Sequence, residues 1–144
     1  MKKIFLPLIL LSSCSSNYPP ITKEVIVYDY PIERTISWEN CLSIEEEYYL
    51  LYFYSPTCGH CIDLKPDFLE YYYSCNPPLY FVNCLEGATY KANKENIIGI
   101  SSEIDLYILG TPSLMEIKDN IVYKYYGGTK EIRLFIDNNS ICFN

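Results

Sequence analysis

The feature of this sequence that most constrains its fold is the run Tyr48–Tyr54, which reads YYLLYFY. All seven residues are apolar or aromatic, so a strand built from them presents an apolar surface on both of its faces. Such a strand is stable only where both faces are covered. The run therefore predicts the central strand of a sheet that has helices on each side.

Shorter patterns before and after this run predict the other strands. Residues 79–82 (LYFV) form a second apolar run after an Asn-Pro-Pro breaker. Residues 114–117 and 121–126 predict two more strands, and the Lys-Asp-Asn sequence between them has the turn chemistry of a hairpin. A first strand is expected at residues 25–28.

Helices are predicted between these strands and after the last one. Residues 61–74 carry apolar side chains at helical spacing, with Pro66 inside the pattern where it would kink the helix. Residues 89–100 are expected to form a polar helix, and residues 129–138 a terminal helix capped by the threonine that opens it. Residues 32–42 have a weaker pattern, which predicts either a short helix or an irregular segment.

The order of these elements predicts the fold class. Parallel strands joined by helical crossovers and closed by an antiparallel hairpin give a three-layer α/β/α sandwich with a mixed central sheet. The chain has 144 residues, of which 49% are hydrophobic and 20% charged, and this suits one folded domain of ordinary size. We expect the domain to span residues 21–144.

A pair of cysteines follows the central strand and begins the predicted helix. The segment YSPTCGHC places Cys58 where a strand gives way to a helix, so its sulfur meets free backbone N–H groups and the positive end of the helix dipole. Both effects favour the thiolate. The two-residue spacing lets Cys61 reach back to Cys58 within the first helical turn. These features indicate a redox-active dithiol in which Cys58 attacks and Cys61 resolves.

Two other interpretations of the cysteine pair are weaker. A structural zinc site normally needs four Cys or His ligands, whereas this chain has one histidine and no second Cys-x-x-Cys pair. We therefore expect no metal. A purely structural disulfide between Cys58 and Cys61 is the second alternative.

The segment from Phe53 to Cys61 resembles the active-site segment of protein disulfide isomerase domains in the thioredoxin superfamily, which share its Cys-Gly-His-Cys core. Pro66 matches the kinking proline of the family's helix, Thr111 and Pro112 match the loop that holds the family's cis-proline, and Gly127 matches a further glycine. The resemblance covers nearly everything after residue 20. It implies the thioredoxin fold, thiol-disulfide exchange, and no cofactor besides the redox-active disulfide.

The resemblance also implies a substrate-binding role for the Thr111–Pro112 loop, which in the family faces the dithiol and pairs with extended polypeptide. Two positions depart from the family pattern. Tyr52 stands where most members have a buried acid that accepts a proton, and Thr57 stands where most have a tryptophan. Proton transfer from Cys61 then needs water, His60 or another group.

The residues between the two cysteines tune the direction of exchange. A protonated His60 beside Gly59 would add positive charge near the Cys58 thiolate, and stabilising the reduced thiolate makes a disulfide more oxidising. The pair thus favours a potential nearer to isomerases, about −180 mV, than to thioredoxin, about −270 mV. Oxidase or isomerase chemistry is favoured. A tethered reductase that delivers electrons to envelope partners is one alternative, and a tethered binding module or chaperone with a weakly active dithiol, suggested by Tyr52, is another.

The N-terminus has the layout of an export signal. Two lysines are followed by an apolar run too short to span a bilayer, and residues 11–14 (LSSC) resemble a bacterial lipobox. We expect cleavage of residues 1–13, lipidation of Cys14 and a short tether over residues 14–20. The protein is then a membrane-anchored lipoprotein of the cell envelope, or alternatively a secreted protein.

In an oxidising compartment, each of the seven cysteines of the chain would be reactive unless it is lipidated, paired, buried or catalytic. In the expected fold, the helix after the dithiol and the terminal helix share a face of the sheet and end at the same edge. Cys75 and Cys142 are therefore the candidates for a structural disulfide. Cys41 and Cys84 are expected at opposite ends of the sheet, unbridged and buried as small apolar residues.

The charge balance limits the partners of the protein. The chain carries 18 acidic and 11 basic residues, a formal net charge of −7, and no basic run. This argues against nucleic-acid binding, which needs a positive surface. The expected partners are cysteine-containing exported proteins, a membrane or soluble redox partner that recycles the dithiol, and the membrane that holds the lipid anchor.

Overall fold

The structure, a computed structural model, describes residues 29–142 of the chain. The strand predicted at residues 25–28, the expected export signal and Cys14 lie outside the described residues. Within them, five strands form one sheet. In chain order they are β1 (Thr35–Ile36), β2 (Tyr48–Tyr54), β3 (Leu79–Asn83), β4 (Ser113–Lys118) and β5 (Ile121–Gly127).

Two α-helices and two short 3-10 turns complete the regular structure of the described residues. Helix α1 spans Gly59–Cys75 and helix α2 spans Gly128–Asn139. The 3-10 turns lie at Ile32–Arg34 and Trp38–Asn40, on either side of β1. Residues 32–42 therefore form an irregular segment around a two-residue strand, and the alternative of a short α-helix is wrong.

The sheet is mixed, as predicted, with the strand order β1-β3-β2-β4-β5. Strands β1, β3 and β2 are parallel to one another, whereas β4 runs antiparallel to β2, and β5 antiparallel to β4. The apolar run of β2 thus lies in the middle of the sheet, and five of its seven residues are buried. The strand with two apolar faces occupies the place where both faces are covered.

The hairpin predicted at the end of the sheet joins β4 to β5 through a two-residue loop. Asp119 and Asn120 both have positive φ, 52° and 59°. A two-residue hairpin of this type needs left-handed backbone at both loop positions, and Asp and Asn are among the residues that tolerate it best. Local sequence therefore determines this turn.

The side of the sheet that α1 and α2 cover is called the helical face below. Leu50 and Tyr52 of β2 point to this side, where they pack with Phe68 of α1 and with Ile132 and Phe135 of α2. These side chains form one of the two apolar cores of the domain.

The opposite side, called the loop face below, contains no α-helix among residues 29–142. Its core joins Leu51 and Phe53 of β2 to Trp38 of the second 3-10 turn and to Ile97 and Leu106, which lie between β3 and β4. The third layer of the sandwich is therefore built from turns and extended chain.

The helix predicted at residues 89–100 is wrong, because this segment forms turns and its end hydrogen-bonds to β5. The Gly99 N–H donates to the Val122 carbonyl at 2.8 Å, and the Val122 N–H donates to the Ile100 carbonyl at 2.9 Å. Gly99 also has a φ of 92°, which a right-handed helix does not contain. Pairing with β5 and the burial of Ile97 outweigh the weak helix propensity of an Asn- and Gly-containing segment.

Helix α2 begins one residue earlier than predicted and is capped differently. Its N-cap is Gly127, and the helix starts at Gly128 instead of Thr129. The Glu131 carboxylate accepts a hydrogen bond from the Gly127 N–H at 2.8 Å, as in a capping box but from the fourth helical residue instead of the third. The first-turn glutamate, not the threonine, satisfies a free N–H at this end of the helix.

Candidate active site

Cys58 lies at the junction of β2 and α1. The Cys58 N–H donates to the Ser55 carbonyl at 3.1 Å and closes the turn that follows β2. Cys58 is then the N-cap of α1, and its sulfur accepts a hydrogen bond from the Cys61 N–H at 3.2 Å. The end of the strand and the start of the helix thus give this sulfur the free N–H groups of a helix N-terminus.

The two thiols of the pair differ in exposure and in pKa. Cys58 is partly exposed, whereas Cys61 is buried, and both are unbridged. Partial burial raises the pKa of Cys58, but hydrogen bonds from the Cys61 and Thr111 side chains and from the Cys61 and His60 N–H groups outweigh burial and hold the pKa below its usual value. Burial, and then the hydrogen bond to Cys58, raise the pKa of Cys61 to about 11. As the pH rises, Cys58 therefore loses its proton before Cys61, which still holds its proton at neutral pH.

Gly59 and His60 form an exposed rim beside Cys58. A side chain added at Gly59 would meet no other atom within 4 Å, so the dithiol is open on this side. His60 lowers the pKa of Cys58 through its backbone N–H. The N–H groups of the helix N-terminus therefore act on Cys58, as its position between strand and helix predicts.

The loop of residues 109–113, called the proline loop below, lies opposite the dithiol. Its Thr111–Pro112 peptide bond is cis. The Cys58 thiol donates to the Thr111 carbonyl at 3.3 Å, and the Pro112 carbonyl accepts from the Gly128 N–H at 2.9 Å. The fold therefore brings Thr111 and Pro112 to Cys58, while Pro66 lies inside α1, more than a turn beyond the dithiol.

Tyr52 lies behind the dithiol, fully buried in the helical face. Its ring stacks on Phe68 with the ring centres 4.1 Å apart, and its hydroxyl has no hydrogen-bond partner among the described residues. Burial first, and then the nearby Tyr30 and Cys61, raise the pKa of Tyr52 far above its usual value. Tyr52 is therefore neutral at every physiological pH and cannot accept a proton from Cys61.

A cavity of about 450 Å³ opens beside Cys61. Its lining includes the rings of Tyr30 and Tyr54 and the side chain of Lys65. The Lys65 ammonium lies 3.1 Å from the Asp29 carboxylate and 4.9 Å from the centre of the Tyr30 ring. Because Cys61 also lines this cavity, its proton can leave through the cavity without involving Tyr52.

The structure also brings tyrosines to the site that sequence analysis missed. Tyr90 is half exposed and its hydroxyl donates to the Cys84 carbonyl at 3.4 Å. Burial raises the pKa of Tyr90, followed by the charges of Cys84, Cys61 and Cys58, which places the ring within electrostatic range of the dithiol. The chain has 16 tyrosines, and no spacing distinguishes Tyr90 from the others.

The remaining cysteines of the described residues lie away from the rim of the site. A disulfide joins Cys75, at the end of α1, to Cys142, beyond α2, with the two Cα atoms 5.1 Å apart. Cys41 and Cys84 are unbridged and buried. Both belong to the loop-face core, and after burial the nearby Cys84 thiol raises the pKa of Cys41. They are therefore neighbours, and the prediction that they lie at opposite ends of the sheet is wrong.

Within residues 29–142, no three His, Cys, Asp or Glu side chains come together in a way that could hold a metal ion. Likewise, none of the helices in this part of the chain is long and apolar enough to cross a membrane.

Comparison with solved structures identifies the fold. The chain superposes on thioredoxin f2 of Chlamydomonas reinhardtii with a TM-score of 0.51 and 18% identity, over 73% of this chain and 92% of that one. A Malassezia sympodialis thioredoxin aligns with a TM-score of 0.49 and 17% identity, over 74% and 89% of the two chains. The first thioredoxin domain of mouse protein disulfide-isomerase A4 gives 0.45 and 20%, over 74% of both chains.

The protein has the thioredoxin fold, as predicted, with the first of these superpositions carrying the assignment. Neither a protein-family model nor a curated protein sequence matches the chain. The similarity is thus one of backbone architecture at low sequence identity, and the chemistry of the site has to be argued from its own residues.

Proposed function

We propose that this protein is a thiol-disulfide oxidoreductase in which Cys58 is the nucleophile and Cys61 the resolving thiol. The observation that carries the proposal is the asymmetry of the two thiols. Cys58 is accessible, lies at a helix N-terminus and has a lowered pKa, whereas Cys61 is buried with a pKa raised to about 11. One cysteine is prepared to attack, and the other holds its proton until the first has reacted.

The exchange balances without a cofactor. In the reducing direction, the Cys58 thiolate attacks one sulfur of a substrate disulfide, the substrate S–S bond breaks, and the departing thiolate takes a proton. Cys61 then loses its proton and attacks the Cys58 sulfur of the mixed disulfide, which releases the second substrate thiol. The protein dithiol is oxidised by two electrons and the substrate is reduced by two. Oxidation of a substrate is the same sequence in reverse.

The surroundings of the dithiol support a polypeptide substrate. The proline loop presents the backbone of Thr111 and Pro112 at the side of Cys58, and Gly59 leaves the rim open. Extended polypeptide can pair with the backbone of a partly exposed residue such as Thr111 while its own sulfur approaches Cys58. The formal charge of −7 favours basic or neutral segments.

Within this activity we favour oxidation or isomerisation over reduction. A lowered Cys58 pKa stabilises the reduced protein, which makes the Cys58–Cys61 disulfide a better oxidant. Equilibration of the dithiol with glutathione buffers measures the potential. A value near −180 mV is expected, and a value well below about −270 mV would identify the protein as a reductase.

Activity is tested by insulin reduction and by refolding of a scrambled disulfide protein. Wild type is compared with Cys58→Ser, and with Cys84→Ala as a matched control that removes a buried thiol outside the dithiol. We expect Cys58→Ser to be inactive in both assays and Cys84→Ala to stay active. Equal behaviour of wild type and Cys58→Ser would instead favour a binding module or chaperone.

The site of action is proposed to be the cell envelope, with the protein anchored through Cys14. The support is the sequence pattern of two lysines, an apolar run and Leu-Ser-Ser-Cys at residues 11–14. The mass of the N-terminal peptide from the purified protein tests this. A lipid on Cys14 is expected, and an unmodified or absent Cys14 excludes the anchor.

A further inference from the structure

The proline loop is tied to β5 by a small network of hydrogen bonds around Tyr125. The Leu109 N–H donates to the Tyr125 hydroxyl at 3.0 Å. The Tyr125 and Ser113 oxygens are 2.6 Å apart, and the Ser113 hydroxyl donates to the Gly110 carbonyl at 2.6 Å. Because the Ser113 proton is used on Gly110, Tyr125 is the donor in the pair of hydroxyls.

This network joins the two ends of the proline loop. Leu109 and Gly110 precede the Thr111–Pro112 bond, and Ser113 follows it at the start of β4. A single tyrosine hydroxyl therefore connects the chain before the proline to the chain after it. Between these ties lies the Thr111 carbonyl, which accepts the hydrogen bond from the Cys58 thiol.

The packing around Tyr125 holds its ring in one place. In the β4–β5 hairpin Gly127 pairs with Ser113, and a Cβ on Gly127 would lie 3.3 Å from Cε1 of the Tyr125 ring. Absence of a side chain at Gly127 thus makes room for the ring. Ser113 is fully buried, so losing its partner would leave a buried hydroxyl with an unsatisfied acceptor, which costs more than an exposed bond.

We propose that Tyr125 is a positioning residue, whose hydroxyl ties the proline loop to β5 and so keeps Thr111 opposite Cys58. The proposal rests on the proposed exchange at Cys58 and names a residue that acts on it through the loop. Tyr125 also lines a cavity of about 550 Å³ shared with the proline loop. A shift of the loop would therefore change the surface along which a polypeptide substrate lies.

Tyr125→Phe tests the proposal, because it removes the hydroxyl and keeps the ring. The KM for a protein disulfide is expected to rise about threefold to tenfold, the size of one lost hydrogen bond. Turnover of oxidised glutathione, which is too small to need the loop, is expected to change less than about twofold. The Cys58 pKa, measured by the pH dependence of iodoacetamide alkylation, is expected to rise, because the hydrogen bond from the Thr111 side chain lowers it in the wild type.

Tyr123→Phe is the matched control. Tyr123 lies two residues earlier on β5, is 52% exposed, and contacts the Lys124 ammonium at 5.2 Å from its ring centre. Tyr123→Phe should leave the Cys58 pKa unchanged, and it should leave the kinetics with the protein disulfide and with oxidised glutathione unchanged. Ser113→Ala breaks the same network from its other side and is expected to reproduce the effect of Tyr125→Phe.

The outcomes separate the inference from the proposed function. If wild type turns over both disulfides while Tyr125→Phe matches it in KM and in Cys58 pKa, the positioning role is wrong and the exchange activity stands. If Tyr125→Phe instead loses activity equally on both substrates and has a lowered melting temperature, Tyr125 has a structural role only, and this result would also overturn the positioning role. If wild type turns over neither disulfide, the proposed function fails, and the alkylation pKa still decides whether Tyr125 positions the loop.

Discussion

The two faces of the sheet bury their apolar residues in different ways. On the helical face, two α-helices cover β2, and Tyr52 stacks on Phe68 in a core of aromatic rings. On the loop face, turns and extended chain cover the same strand, and Gly99 and Ile100, which follow the buried Ile97, make backbone hydrogen bonds to β5. The first cover is made of elements that hydrogen-bond within themselves, and the second depends on the sheet for its hydrogen bonds.

The candidate active site lies where these two covers meet. Cys58 and Cys61 come from the first turn of α1, whereas Thr111 comes from the proline loop at the end of the long connection over the loop face. The nucleophile is therefore placed by a helix, and its opposite wall by a loop that other residues have to hold. Substitutions on the two faces should therefore differ in their effects on disulfide exchange and on the stability of the protein.

The largest effect is expected from Cys61→Ser, which leaves the helix and the Cys58 thiolate in place but removes the resolving thiol. Exchange should stop after the first step, so that turnover is lost and a mixed disulfide between Cys58 and the substrate accumulates. Non-reducing gels and mass spectrometry measure that adduct. Cys84→Ala, the loss of a loop-face thiol, should accumulate none. Normal turnover by Cys61→Ser would remove Cys61 from the mechanism.

Core truncations on the two faces should differ in how the protein opens. Phe68→Ala on the helical face is expected to cost about 3 to 5 kcal/mol of unfolding free energy, and Ile97→Ala on the loop face about 2 to 5 kcal/mol. Because the loop segment can detach without unfolding the sheet, Ile97→Ala should raise local hydrogen exchange around residues 89–100. Denaturant titration and hydrogen exchange test this. Uniform loss of protection in Ile97→Ala would contradict the difference between the faces.

The dithiol should show opposite pH effects at its two sulfurs. Alkylation of Cys58 follows its thiolate, so the midpoint of its rate is expected below the usual thiol value of about 8.5, while Cys61 reacts only near pH 11. Both pKa shifts also change the free energy of unfolding. The stabilisation from Cys58 is complete above the pKa of this thiol in the unfolded chain, and it is lost as the pH falls through the lower pKa of the folded protein. At Cys61 stability is lost as the pH rises from the pKa of the unfolded chain towards 11. Mass-resolved alkylation of the reduced protein from pH 5 to 11 measures the pH midpoint of each thiol. Equal midpoints for Cys58 and Cys61 would contradict the roles assigned to them.

The smallest effects compare two buried tyrosines of β2 on opposite faces. The Tyr49 hydroxyl, on the loop face, donates to the Cys41 carbonyl at 2.8 Å, so Tyr49→Phe should cost about 0.5 to 1.5 kcal/mol. The Tyr52 hydroxyl, on the helical face, has no partner among residues 29–142, so Tyr52→Phe should be neutral or stabilising by about 1 kcal/mol. Tyr52→Phe should also leave the pH profile of exchange unchanged. A lost pH dependence would show that Tyr52 takes part in proton transfer.

Much of the helical face could be predicted from sequence because its signals are local. The bounds of β2 agree with the apolar run Tyr48–Tyr54, and α1 differs from its prediction by two residues at the start and one at the end. The turn at Asp119 and Asn120 follows from residues that tolerate positive φ. Each of these elements satisfies its own backbone or closes over a few residues, so nearby residues are enough to specify it.

The loop face could not be predicted in the same way. Residues 89–100 form no α-helix, and Gly99 and Ile100 at the end of this segment bond to Val122, which is more than twenty residues away in the chain. The closeness of Cys41 and Cys84 likewise depends on how the second 3-10 turn packs on β3. A local sequence pattern does not identify a contact with a residue so far away in the chain.

The sequence by itself determined the strand, the helix and the cysteine spacing that give Cys58 its helix N-terminus, because hydrophobic periodicity and the geometry of one helical turn are local. Only the tertiary structure decided what faces that sulfur. It brought Thr111 to 3.3 Å from Cys58, placed Tyr125 to hold the proline loop, and surrounded Tyr52 with rings that keep it neutral. These depend on contacts between distant segments, since burial and the pKa of a group are properties of everything packed around it.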